Sequence, residues 1–214
     1  MAIVKSGPYV GFSGTVDGIT YYQLPNGTTV AKKKNKKSTK SSTPAQQAAQ
    51  DVMVMISQFM KPFEAFIKMG YAQEAKKQGL NPHNAMLRHI WKNALEGAPG
   101  DRKVNLHQLL VTKGELPPAN ENSVQLNAKG LAFTWSTELK PKRSHHSDQV
   151  IMVAYFPELQ ELEFKVGGAE RSAGQDVLLL DGIEKGYPAE IFISFITNDR
   201  SGISDSIYLG QLNW

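Results

Sequence analysis

Apolar residues at three- and four-residue spacing mark the clearest element of this 214-residue chain. Ala45, Ala48, Ala49, Val52, Ile56, Phe59, Met60 and Phe63 recur with the helical period, so the spacing predicts an amphipathic helix. Thr43-Pro44-Ala45-Gln46 opens it with a capping threonine, a proline at the first helical position and a glutamine placed to complete a capping box. Pro62 predicts a kink or restart, and Gly70 and Gly79 are stops. Asn81-Pro82 opens a further helix carrying Met86, Leu87, Ile90 and Trp91 up to Gly97. Residues 44–97 are thus expected to be a helical block.

Elsewhere the period shortens to that of strands. Gly18–Leu24 and Thr28–Lys34 flank Pro25-Asn26-Gly27, where Asn and Gly accept the positive φ of a tight turn, and together they predict a β-hairpin. Ile19 and Tyr21 point one way and Tyr22 and Leu24 the other, so both faces carry apolar groups. A two-stranded hairpin is marginal alone in water and must lean on its own body or on a neighbouring chain. After Ala98-Pro99-Gly100, segments of strand character follow at 106–113, 123–126, 130–136, 149–156, 160–166, 176–180, 189–197 and 203–209. Short strands at this density predict a β-sandwich. The alternation of Leu131, Phe133 and Trp135 turns a tryptophan inward, as in immunoglobulin- and fibronectin-type sandwiches.

The expected architecture is α+β in three parts. A β-hairpin with a lysine-rich arm occupies 1–43, the helical block 44–97, and an immunoglobulin/fibronectin-like β-sandwich 98–214. The span from about residue 105 is expected to fold on its own alternating core.

The pattern GFSGTVDGITYY, the basic stretch after it, TPAQQAAQ leading a helix with FMKPF, and the closing AERSAGQDVLLL and SDSIYLG resemble a large uncharacterised family frequent in Bacteroidota. The first part is also similar to short hairpin-then-TPAQQA units of phage-encoded proteins. The resemblance implies a fold and no activity. Lysines stand where the family carries arginines around the hairpin end, and a lysine lacks the planar donor fork that grips phosphate with two bonds.

Composition narrows the class. At 41% apolar and 21% charged residues the chain is ordinary for a globular protein, and the absence of cysteine excludes disulfides and thiolate metal sites. Lys5, Gly7 and Pro8 interrupt the first apolar run, which predicts synthesis in the cytoplasm without a secretory signal. No window approaches the roughly 18 apolar residues of a membrane span.

The net charge of +4 hides an asymmetry. Residues 1–50 hold seven lysines against Asp17, and Lys32, Lys33, Lys34, Lys36, Lys37 and Lys40 fall within nine positions. Such a run reads as a solvated linker, as a polyanion contact, or as an arm crossing a neighbouring subunit.

Catalytic chemistry finds no foothold. Gly11-Phe12-Ser13-Gly14 has the wrong spacing for a nucleophile elbow, and Walker, dinucleotide and zincin motifs are absent. His83 and His89 lie six apart on different faces of a predicted helix, and His145-His146 sit in a polar loop, so no metal site is expected. Glu158, Glu161 and Glu163 read as a solvated strand edge, and Gly167-Gly168 and Gly174 as turns. No cofactor is expected. The expectation is a non-catalytic structural protein that self-associates, or joins other structural proteins, through its N-terminal hairpin, in the manner of a virion or particle component. The alternative is a sequence-indifferent nucleic-acid binder using the six lysines with Tyr21 and Tyr22 as stacking rings.

Overall fold

The computed structural model describes residues 2–24, 27–34, 41–98, 100–139 and 144–214. The chain divides into two compact units, Met1–Pro44 and Ala45–Trp214, where three segments are expected from sequence.

In the smaller unit the predicted hairpin is present as β3 (Ile19–Gln23) paired with β4 (Thr29–Lys33); Pro25 and Asn26 of its turn lie outside the described residues. Two further strands, β1 (Ala2–Val4) and β2 (Gly14–Val16), extend it to a four-stranded antiparallel sheet in the order β1-β4-β3-β2. At three residues each, they are too short to show a period in sequence.

The larger unit begins inside α1 (Pro44–Met60), a helix that starts at the predicted proline. Its buried side chains are Val52, Ile56 and Met60, whereas Ala45 and Ala49 of the first turns are exposed, so the core-facing stripe starts later than the spacing suggests. Pro62 acts as expected. One 3₁₀ turn, Lys61–Phe63, breaks the helix before α2 (Glu64–Gly70), because proline lacks the N–H that the α ladder needs. The helix α3 (Ala72–Gln78) ends on Gly79 in the left-handed conformation at φ 64°, and Asn81 caps α4 (Pro82–Asn93) by accepting from the Asn84 N–H at 2.7 Å. Trp91, at 37% exposure, shares a surface groove with Ala45, Ala48 and Ala49.

A short pair, β5 (Leu95–Glu96) and β6 (Lys103–Val104), leads from the helices into the sheets. The strands β7 (Ser123–Asn127), β8 (Gly130–Thr134) and β11 (Gln175–Leu179) form a three-stranded antiparallel sheet, ordered β11-β8-β7. The strands β9 (Gln149–Phe156), β10 (Glu161–Glu170), β12 (Pro188–Ile196) and β13 (Ile207–Asn213) form a four-stranded one, ordered β10-β9-β12-β13.

The alternation along β9 assigns the layers. Val150, Met152, Ala154 and Phe156 join Leu131, Phe133, Trp135 and Leu178 of the smaller sheet in one core. Ile151, Val153 and Tyr155 join Ile56, Phe63, Phe66 and Ile90 of the helices in another. The four-stranded sheet is therefore covered on both sides, which is why β9 and β12 are apolar at nearly every position. The helical block and the sheets share a core within one unit. A span from about residue 105 would keep the core between the two sheets and lose the helices that cover the other face of β9 and β12.

A second correction concerns 106–113, read as a strand. Its backbone turns instead: the Val111 N–H donates to Ser206 Oγ at 2.9 Å and Thr112 Oγ1 donates to the Ser204 carbonyl at 2.9 Å. Leu109 and Val111 are buried in the helix-side core, so the segment looks strand-like only in its apolar content.

Candidate functional site

Of the residues expected to contact a partner or nucleic acid, Tyr21, Tyr22, Lys32, Lys33 and Lys34 are described in the N-terminal sheet; Lys36, Lys37 and Lys40 lie outside the described residues. Val16 pairs with Ile19 across a two-residue turn, Asp17 at φ 48° and Gly18 at φ 75°, the two positive φ values that match a turn to the twist of the strands it joins. The register then sets the faces. Tyr21 opposes Ala31 and Gly14, whereas Tyr22 opposes Val30, which in turn opposes Ile3. Tyr21 and Tyr22 therefore point to opposite sides of the sheet and do not form one stacking pair.

Tyr21 has a different partner. The 5–13 segment brings Tyr9 into a stacked arrangement with it, centroids 5.0 Å apart and planes 16° apart, and Phe12 stands edge-on to Tyr21 at 5.9 Å. Two features hold this loop in place. The Gly11 N–H donates to Thr29 Oγ1 at 2.8 Å, and Gly14 leaves the space that the Phe12 ring uses, since a Cβ there would lie 3.1 Å from the ring. The glycines of GFSG thus seat aromatic rings on the sheet. Nothing periodic marks Tyr9 and Phe12 in the sequence, and only the return of the chain onto β3 brings them together.

Lys32 and Lys33 alternate across β4 opposite Thr20 and Ile19, so Lys33 shares the face of the aromatic cluster and Lys32 the other. The Lys34 N–H donates to the Gly18 carbonyl at 2.7 Å, and all three lysines are exposed. The unit has little interior: Val30 is its one buried apolar side chain among the described residues. Ile3, Tyr9, Val10, Phe12, Ile19 and Leu24 are exposed, six of the twelve exposed large apolar side chains of the described residues.

In the larger unit the buried charges are tied into structure. Arg171, 1% exposed, lies over the Phe195 ring at 4.2 Å, donates from Nη2 to the Pro117 carbonyl at 2.8 Å and holds Nε 3.4 Å from Asp148 Oδ2. Burial pushes its pKa down, and the Asp148 carboxylate opposes that shift. Asp148 also accepts from the His145 N–H at 2.8 Å.

Glu190 accepts from the Tyr208 hydroxyl and, at 2.8 Å, from Gln211 Nε2. Burial first, and then the bond to Glu190, raise the Tyr208 pKa. His89 is held low, mainly by burial. Its Nε2 faces the Gln108 carbonyl at 3.3 Å and its Nδ1 faces Asn93 at 3.1 Å. Among the described residues no three His, Asp or Glu side chains converge as a metal site would need, and no helix is long and apolar enough to cross a membrane.

No curated protein and no solved structure matches this sequence. A family model does, over residues 8–210, which takes in β2 to β4 of the N-terminal sheet, the helices, and both larger sheets up to the middle of β13. The chain belongs to that family, DUF6266, a family of unknown function.

Proposed function

We propose that the protein is a non-catalytic structural component that self-associates through its N-terminal sheet. One observation carries this reading: a unit with a single buried apolar side chain displays half of the exposed large apolar side chains of the described residues. Apolar groups on so small a sheet stabilise little unless they are covered, and a second copy presents the same groups in symmetric register. The edges of β1 and β2 offer unpaired backbone for strand addition as well. The finer fold reading supports an assembly role. If β7 to β13 are taken as strands A to G, the sheets are ABE and DCFG. That differs from the constant-type immunoglobulin division only in the sheet that the fourth strand joins. A place in a virion-like particle extends the proposal and rests on the resemblance of the hairpin and TPAQQA stretch to phage-encoded units.

Sedimentation velocity of the full chain across a hundredfold concentration range tests it. Concentration-dependent association is expected, and it is expected to disappear in an Ile3→Lys, Ile19→Lys double variant. A wild-type chain that stays monomeric throughout overturns the proposal.

A second reading is favoured by the Tyr9, Phe12 and Tyr21 rings sharing a face with Lys33, since ring faces interleaved with lysine suit single-stranded nucleic acid. If about five of the six lysines neutralise phosphates, binding to duplex DNA is expected to fall with log salt at a slope of about −4 to −5. Absence of binding to duplex DNA, single-stranded DNA and RNA at low salt removes this reading.

A further inference from the structure

Gly167 and Gly168 read as a turn in sequence, yet they lie inside β10, where the register with β9 slips between Val166 and Glu170. Gly167 stands at φ 69°, and a Cβ on it would come 2.5 Å from Arg200 Nη2. The missing side chain is therefore the space into which a guanidinium is laid.

The loop between β12 and β13 delivers that guanidinium. Arg200 takes φ 62°, costly for a residue with a Cβ, and its N–H donates to the Thr197 carbonyl at 2.9 Å. Asp199, the nearest acid in sequence, is engaged elsewhere: its Oδ1 accepts from the Ser201 N–H at 3.0 Å and the Ser201 hydroxyl at 2.7 Å. Among the described residues the Arg200 guanidinium makes no ion pair and no hydrogen bond. The Gln149 amide oxygen, which would stand 3.0 Å from the same Cβ, is buried and without a donor.

Beside Arg200 is a cavity of about 400 Å³, walled by Met69, Val166, Ile196 and Ile203, with Gln73 and Arg200 as its polar side chains. Gln73 donates its amide to the Ser201 carbonyl, tying α3 to the loop and closing one wall. Arg200 is left as the group with donors to offer. An apolar cavity with one convergent cation has the form of a small-molecule site, and a guanidinium pairs best with a carboxylate.

We propose that this cavity binds a small organic carboxylate, with its apolar body between α2, α3 and β10 and its carboxylate on Arg200 at the rim. The site is independent of the N-terminal sheet and of any self-association.

Octanoate is the probe, with octan-1-ol as the uncharged match, each titrated into the ¹⁵N-labelled full chain and followed by amide chemical shifts. Octanoate is expected to produce saturable shifts confined to residues 69–73, 166–168 and 196–203, and to bind about tenfold more tightly than octan-1-ol. Arg200→Gln replaces an exposed side chain at the same φ and is expected to remove that tenfold preference while leaving the rest of the spectrum in place. Ala72→Phe, which fills the cavity from an exposed helix position, is expected to abolish binding of both probes. Equal affinity for the two probes, an unchanged octanoate affinity in Arg200→Gln, shifts centred on other residues, or no saturable shift at millimolar octanoate would each overturn the proposal.

Discussion

Replacing Asp148 by asparagine removes one charge from the buried corner around Arg171 and little else. The asparagine oxygen can still accept from the His145 N–H, and the guanidinium keeps its Pro117 carbonyl and the Phe195 ring. What is lost is the counter-charge, 3.4 Å from Nε. At an effective dielectric constant of about 20, that separation corresponds to about 5 kcal/mol. Orphaning one partner of a buried pair costs about 3–5 kcal/mol, the same range. Asp148→Asn is therefore expected to lower unfolding stability by about 3–5 kcal/mol in urea at pH 7.

Tryptophan fluorescence is a suitable reporter, because the Trp135 indole donates to the Arg171 carbonyl at 2.9 Å and stands edge-on to Phe195 at 5.6 Å. Adding Arg171→Met removes the orphaned charge and keeps an apolar group on Phe195. The double variant is expected to be more stable than the two single losses sum to, by about 2 kcal/mol or more. A single-variant loss below about 1 kcal/mol, or losses additive within about 0.5 kcal/mol, would show that the pair does not act as a charge pair.

Trp135→Ala, at a site 5% exposed, is expected to cost about 3–5 kcal/mol by urea unfolding, and a loss under about 1 kcal/mol would contradict its place between the two sheets. Burial alone would raise the Asp176 pKa, but the bidentate Lys165 ammonium at 2.8 and 2.9 Å and the Ala169 and Val177 N–H groups together hold it below the usual value. With the folded pKa depressed, its stabilisation is present above about pH 4 and lost as pH falls through the folded value. Wild type is thus expected to exceed Asp176→Asn in stability at pH 7 and to converge with it near pH 2; a difference that is the same at both pH values would refute this. A chain of residues 105–214 is expected to show no cooperative thermal transition, because Ile151, Val153, Tyr155 and Phe192 lose the helices that cover them; a sharp transition would mean that the two sheets suffice.

What the sequence by itself determined is local. The helix ends follow from Pro44, Pro62, Gly79 and Asn81-Pro82, each acting within one turn of its own position. The bounds of β9 agree with the predicted 149–156, and the β3–β4 hairpin and the inward Trp135 were legible from alternation. The tertiary structure decided everything that depends on which surface covers which. An unbroken apolar run does not say what lies on either side of it, so the central position of β9 and β12 emerges only when the helices pack on one face and the β7-β8-β11 sheet on the other. The segment 106–113 carries strand-like residues, but its Val111 N–H donates to the Ser206 hydroxyl and its Thr112 hydroxyl to the Ser204 carbonyl, far along the chain. Tyr9 and Phe12 acquire a role through the path of one loop onto Tyr21, and Gly167 through an arginine 33 positions later that needs its missing Cβ. These are contacts between distant residues, and a local period carries no record of them.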